Sequence, residues 1–439
     1  AKFHQISLKE TFSECQDLFI DDAPSLFQLL DEHLDLESFI PDSFFNAFYR
    51  SLGRKRLYPL SGFLAALILQ KILSIPTDSL LILFLNLCKE LRDFCGFHKV
   101  PDAPLFTRFK QDFLPFIEEM FHQLVDFTEP ICLAIDSSLA QMLTFDTSGI
   151  ELYVTENNPK TLNALIRRLK AYYKDNPEVD PYMMAYGLMP SQAASSPHAK
   201  QLYINGHFCH ANEFAILTNG LGIIRHITFL DDDFKQLHPH FQPNTFLGDS
   251  AFDTIDTYGF LKNKFHISRA LIPYNTRNES SLDKVGYNLY GYPTCPKDPP
   301  LDMKYLGHCH EKGRADRDKW GCPKVHMVKG QWVCDCTEPC SAAKKGRTTY
   351  TYENMDFRIF PGIQRDTDEW KSLYKIRTIV ERAINHFKIN MCVAGRRTRN
   401  HITTKADVFL AGIASQLTVI VAYRMNSPQY IRSLKPLAA

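Results

Sequence analysis

Through the first 128 residues apolar side chains recur at three- and four-residue steps, and beyond them that period is lost. Leu60, Phe63, Leu64, Leu67 and Leu69 carry the pattern most clearly, and such spacing fills one face of an α-helix. Pro76-Thr77-Asp78 interrupts it and offers Thr77 or Asp78 as a helix N-cap. Pro101-Asp102-Ala103-Pro104 interrupts it again. A further helix is expected after that break, with Phe106, Phe109, Phe113 and Phe116 on one side and Arg108 and Lys110 exposed.

The following residues have a different texture. Ile131-Cys132-Leu133-Ala134-Ile135 is a short apolar run that stops at Asp136, which reads as a buried strand ending in an acid. Residues 159–175 are a basic helix candidate, with Lys160, Arg167, Arg168, Lys170 and Lys174. Residues 190–200 are rich in Pro, Ser and Ala and loop-like. Strands are expected over Leu202–Ile216 and Gly222–Phe229, joined by a Thr218-Asn219-Gly220 turn. Thr245–Gly248 predicts another strand, again ending in an acid, Asp249, and Phe265–Tyr274 one more. Residues 285–350 are rich in Gly, Pro and Cys, and helices return from about Asp366. The class is therefore α/β in four segments: helical residues 1–128, a core over 129–274 and 366–439, and a Cys-rich insertion over 275–365.

A chain of 439 residues suggests two to four domains, and a composition 45% hydrophobic supports a sizeable core. The net charge of +1 means that any nucleic-acid surface must come from local clustering. Leu60–Ile75 and Leu80–Cys88 fall short of the roughly 20 apolar residues that span a bilayer, so no membrane association is expected. The polar stretch Ala1–Glu10 does not read as a leader. Six of the twelve cysteines crowd between Cys295 and Cys340, a distribution that suits metal binding in a reducing cytoplasm better than a disulfide framework.

The residues from Leu373 to Lys388 hold a polar row. At about 100° per residue on a continuous helix, Tyr374, Arg377, Glu381 and Lys388 fall within an arc of roughly 60°. Leu373, Ile376, Val380, Ile384 and Phe387 form an apolar stripe beside them. Such a face either carries an Arg377–Glu381 ion pair in solvent or aims a carboxylate and three polar groups at a ligand. Carboxylates converging from strand ends and a helix suit two-metal phosphoryl chemistry, because magnesium prefers oxygen ligands.

The spacing Tyr374-x2-Arg377-x3-Glu381-x6-Lys388 resembles the signature of a large group of bacterial insertion-sequence DDE transposases. Asp136 in Leu-Ala-Ile-Asp-Ser-Ser and Asp249 in Leu-Gly-Asp-Ser-Ala-Phe-Asp resemble that family's first and second acids. Pro101 to Phe109 resembles the end of its N-terminal helical domain. The likeness extends over roughly residues 30–425, and the Cys-rich stretch before Trp370 points to one subgroup. It implies an RNase H-like catalytic core interrupted by the insertion, with Asp136, Asp249 and Glu381 holding two Mg²⁺ (or Mn²⁺) ions. Tyr374, Arg377 and Lys388 would contact DNA phosphates. Asp253 competes with Asp249, which is preferred because it directly ends its strand. The implied activity is cleavage at transposon ends and 3′-OH transfer into target DNA. The implied partners are double-stranded DNA, as terminal inverted repeats and target, and further copies of the chain in a homodimer or larger assembly, at the bacterial nucleoid.

Tetrahedral zinc takes four Cys or His ligands, usually as two close pairs. Cys336-x3-Cys340 is one pair, and Cys322 and Cys295 supply a second half. These four positions are similar to those of the related subgroup. Cys334 and Cys309 are spare or substitute for Cys295. Little apolar periodicity surrounds them, so zinc is expected to drive the folding of the segment. Arg396, Arg397 and Arg399 form the densest basic run and are candidates for gripping phosphates. Lys160–Lys174 and Arg50, Arg54, Lys55 and Arg56 are further candidates. Two rival readings remain: a nuclease on the same core without strand transfer, and a non-catalytic zinc-dependent DNA-binding protein.

Overall fold

The computed structural model describes residues 25–50, 55–204, 206–228, 234–275, 286–288, 290–353, 357–359, 361–395, 398 and 400–437. Its fold is mixed α/β, as the sequence textures require. Six helices come first: α1 (Ser25–His33), α2 (Asp42–Phe48), α3 (Leu60–Ile72), α4 (Asp78–Leu87), α5 (Lys89–Phe94) and α6 (Ala103–Asp112). A long helix α7 (Leu114–Ile135) precedes strand β1 (Met142–Glu151) and helices α8 (Pro159–Tyr172) and α9 (Pro181–Gly187). Strands β2 (Lys200–Ile204), β3 (His207–Asn219), β4 (Ile224–Thr228) and β5 (Thr245–Leu247) follow, then α10 (Ile255–Phe265) and β6 (Arg269–Leu271). Among the described residues of the Cys-rich stretch, seven strands alternate with turns and loops: β7 (Thr294–Cys295), β8 (Asp298–Asp302), β9 (Lys304–Cys309), β10 (Arg317–Gly321), β11 (Val325–Val328), β12 (Gln331–Cys334) and β13 (Thr348–Tyr352). Helices α11 (Asp368–Tyr374), α12 (Thr378–Asn385) and α13 (His401–Arg424) close the chain.

Two compact units divide these elements. One gathers residues 1–137, 146–238 and 381–439, and the other residues 138–145 and 239–380. In the first, α3 and α13 are apolar nearly all round and buried, as helices at the centre of a core must be. α13 packs on α7 and α3. Gly412 permits the approach, since a Cβ there would meet Phe121 and Ile227 at 2.8 Å. The helix His401–Arg424 is long and apolar enough to cross a membrane, yet 89% of its most apolar window is buried inside the protein.

Lys110, expected on the surface, is fully buried. Its ammonium lies 2.8 Å from Asp78 and 3.0 Å from Asp407, and Lys71 lies 3.0 Å from the same Asp407 oxygen. The correction has a simple cause: α13 brings an acid that no local pattern around Lys110 announces. Thr77 is the N-cap of α4, accepting from the Leu80 amide. In the same unit, the run expected as one strand over Leu202–Ile216 is two, β2 and β3, paired antiparallel. The Asn219 turn is confirmed: its side chain accepts from Leu221 and Ile223, and β4 returns along β3.

The second unit starts with the first residues of β1, paired in parallel with β5, which pairs in parallel with β6. Met142, Leu247, Leu271 and Trp370 form its core, with Leu373, Tyr374 and Ile376 packed against them. Only Arg269–Leu271 of the expected strand Phe265–Tyr274 is extended, because Phe265 is still the last turn of α10. β9, β10 and β13 make one antiparallel sheet, and β11 with β12, and β7 with β8, make two small pairs.

Candidate active site

The strand expected over Ile131–Ile135 is not a strand. These residues are the final turns of α7, which continues through Pro130, and Asp136 is its extended C-cap residue. A five-residue apolar run is compatible with either state, and here the helix before it decides. Asp136 is half-buried, and its amide donates to Cys132 O at 3.1 Å.

The parallel strand beside β5 is β1 instead. Met142, Leu143 and Thr144 are the Cα partners of Thr245, Phe246 and Leu247. Two residues past Leu247 stands Asp249, whose carboxylate caps a short 3₁₀ turn by accepting from Ala251 N at 2.8 Å. Two residues past Thr144 stands Asp146, half-buried, accepting from Thr147 N at 2.8 Å. Asp253 has a different post. It is fully buried 3.5 Å from Arg365, accepts from Asn275 N at 2.7 Å, and its carboxyl is pushed up by burial.

Side chains alternate along a strand, so Thr144, Asp146 and Ser148 share one face of β1. The Thr144 hydroxyl donates to Arg377 O at 3.4 Å. Ser148 accepts from Lys388 Nζ at 3.3 Å, and burial pulls the Lys388 ammonium below its usual range. Glu381 lies between Arg377 and Lys388 in sequence and is exposed. The polar row is not carried by one continuous α-helix. A 3₁₀ turn at Lys375–Arg377 separates α11 from α12, and a π-helical turn follows at His386–Asn390. The tighter and wider turns shift the angular positions calculated for uniform 100° steps. Tyr374 stacks on Trp370 with ring centres 4.6 Å apart, and the Arg377 guanidinium lies 5.9 Å from the Tyr374 ring.

The cysteines fall in the second unit. Cys295 ends β7 and Cys322 follows β10, both buried, and Cys336 and Cys340 lie half-buried in the loop after β12. β11 pairs with β12 so that Cys334 lies opposite Val325, three residues past Cys322. Burial raises the Cys322 thiol, and the neighbouring thiols of Cys334, Cys340 and Cys295 raise it further. Burial also raises Cys336, with Cys334 hydrogen-bonded beside it. Ionised thiols gathered in this way oppose one another, a penalty that a bound cation removes. Thiols are the donor type that zinc takes. Cys309 stands apart on β9, opposite Arg317.

Among basic candidates, α8 matches the expected helix closely, with Arg167, Arg168 and Lys174 exposed. Arg54, Arg396, Arg397 and Arg399 lie outside the described residues. Sequence reasoning passed over Asp146. Its signal was the alternation of Met142, Thr144, Asp146 and Ser148 against Leu143 and Phe145, with the acid inside the strand rather than at its end.

Residues 14–112 match the family described as Transposase domain (DUF772). That match supports a transposase family for the chain, and with it a DNA-processing enzyme that binds DNA. The matched stretch ends where α6 ends. No curated protein and no solved structure matches the chain.

Proposed function

We propose that this transposase-like chain is a DDE enzyme on an RNase H-like core, cutting DNA at transposon ends and joining the freed 3′-OH to target DNA. The observation that carries the reading is the parallel pairing of the first residues of β1 with β5: Asp249 follows two residues after the last paired residue of β5, and Asp146 two residues after the last paired residue of β1.

We assign the first acid to Asp146 in preference to Asp136, because Asp136 follows a helix and Asp146 lies on the paired strand. Glu381 is the third, on the stretch whose Arg377 carbonyl and Lys388 ammonium are bonded on either side of Asp146 along β1. Bound Mg²⁺ or Mn²⁺ ions would activate the attacking oxygen and stabilise the leaving one. Asp146, Asp249 and Glu381 would hold them. Tyr374, Arg377 and Lys388, with Arg396, Arg397 and Arg399, would orient the phosphodiester for in-line attack, first by water and then by the 3′-OH. Cys322, Cys336 and Cys340, with Cys295 or Cys334, would hold a structural zinc ion. The working form is a homodimer or larger assembly that brings two DNA ends together.

The test is a Mg²⁺-dependent cleavage and joining assay on DNA carrying the element ends. Wild type and Asp136→Asn should form joined product, and Asp146→Asn, Asp249→Asn and Glu381→Gln should not. Activity retained in Asp146→Asn and lost in Asp136→Asn returns the first position to Asp136. Cleavage without joined product means a nuclease without strand transfer. Activity equal in all variants overturns the assignment.

A further inference from the structure

Outside the acidic site, one cluster gathers imidazoles from three separate elements of the first unit. His122 lies on α7, His226 on β4, and His238 just after the helical turn Phe234–Leu237. One ring nitrogen from each lies within 4.8 Å of the other two. His226 and His238 are buried and His122 half-buried. We propose that His122, His226 and His238 bind a borderline transition-metal ion of the Zn²⁺ class.

Two features support a ligand set over a casual packing of rings. The first is orientation. Asp126 stands four residues after His122, on the same face of α7, and its carboxylate lies 2.7 Å from His238 Nδ1. That contact holds Nδ1 as the protonated nitrogen and turns Nε2 toward the cluster, the arrangement of a carboxylate-supported metal ligand. The second is distance. His238 Nε2 and His122 Nδ1 are 3.1 Å apart. Two nitrogens at ~2.0–2.1 Å from one tetrahedral zinc stand roughly 3.3 Å apart, so a small adjustment lets an ion replace the proton they share.

The donor chemistry selects the metal. Imidazole nitrogens suit Zn²⁺, Co²⁺, Ni²⁺ or Cu²⁺, whereas Mg²⁺ and Ca²⁺ require oxygen. Arg225 near His238 and Lys405 near His122 oppose a cation, and Asp126 beside them offsets that opposition. Arg225 is itself paired with Glu129 at 3.1 Å. An ion here ties α7 to β4 and to the residue that follows the helical turn Phe234–Leu237. It is distinct in chemistry from both the carboxylate site and the thiol cluster.

The experiment uses the full chain, stripped with chelator and reloaded with Zn²⁺ or Co²⁺. X-ray absorption of the zinc form should show imidazole scattering in addition to any sulfur shell, and the Co²⁺ form should show a nitrogen-ligand band separate from thiolate charge transfer. His122→Gln should lose one equivalent of metal and the imidazole signal while keeping the sulfur signal. Asp126→Asn should weaken the same equivalent about 10–100-fold. Metal bound through sulfur alone in wild type, or an unchanged imidazole signal in His122→Gln, overturns the proposal. If the variant does not fold, the wild-type absorption spectrum decides by itself. A missing sulfur shell with imidazole present would instead count against the cysteine site.

Discussion

Helices α3 and α13 bury most of the side chains they carry, whereas strands β9, β11 and β12 leave Leu306, Met327, Val328 and Trp332 exposed. The helices belong to a core that ordinary apolar burial can hold. Between β7 and β13, Met303, Trp320 and Val325 are the large apolar side chains that become buried, beside Cys295 and Cys322. The difference teaches that burial alone is spread unevenly along the chain, and the zinc site proposed above would give the second region a source of stability concentrated in a few thiols.

The sharpest way to break that comparison is to add a strong chelator to the intact protein. Zinc binding in small zinc-dependent folds is worth about 10–16 kcal/mol. Hydrogen exchange should then lose its protection over β7–β13 and keep it over α3, α7 and α13. Protection that survives in β7–β13 after all metal is removed would mean that the strands hold themselves.

The next largest effect is expected at Asp407. Replacing it with Ala leaves Lys71 and Lys110 buried beside a missing carboxylate, and breaking a buried pair in this way costs about 3–5 kcal/mol. Denaturant unfolding should report a loss of that size. A cost below ~1 kcal/mol would show that water or Asp78 compensates. Leu64→Ala in α3 should cost about 2–5 kcal/mol by opening a cavity. Leu306→Ala in β9, at a side chain 56% exposed, should stay within about 0.5 kcal/mol. Equal costs at the two leucines would erase the contrast.

The smallest effect concerns pH. Burial and the nearby Lys435 lower the His386 pKa in the folded protein. A lowered value means stability that is present above the unfolded value of about 6.5 and lost as pH falls through the folded one. Acidification below about pH 6.5 should therefore destabilise wild type more than His386→Gln, as measured by urea midpoints across that range.

Much of the helical half was legible, because a three- and four-residue period over long stretches has one interpretation. Ile131–Ile135 was not, because five apolar residues carry no period long enough to separate strand from helix, and α7 simply continues through them. Composition rather than shortness hid Asp146 in the ten-residue strand β1. Its strand mixes Thr, Asp and Ser with Leu and Phe, so it resembles a loop until its partner β5 is known. Lys110 was misjudged for a related reason: its counter-charge, Asp407, lies almost 300 residues further along the chain. Asp249 was expected directly after a strand over Thr245–Gly248, and the structure ends that strand one residue sooner, at Leu247, with Gly248 between them.

The first unit is assembled from three separated stretches of chain, the last of which begins at residue 381. During synthesis, α3 and α7 emerge from the ribosome long before the helix that covers them. Residues 239–380 must be made in the interval. A chain cut short before residue 401 therefore has an uncovered apolar face and two lysines short of their shared acid. Such products are material for proteases. The order of the pieces along the chain makes the last stretch the one that closes the core begun by the first.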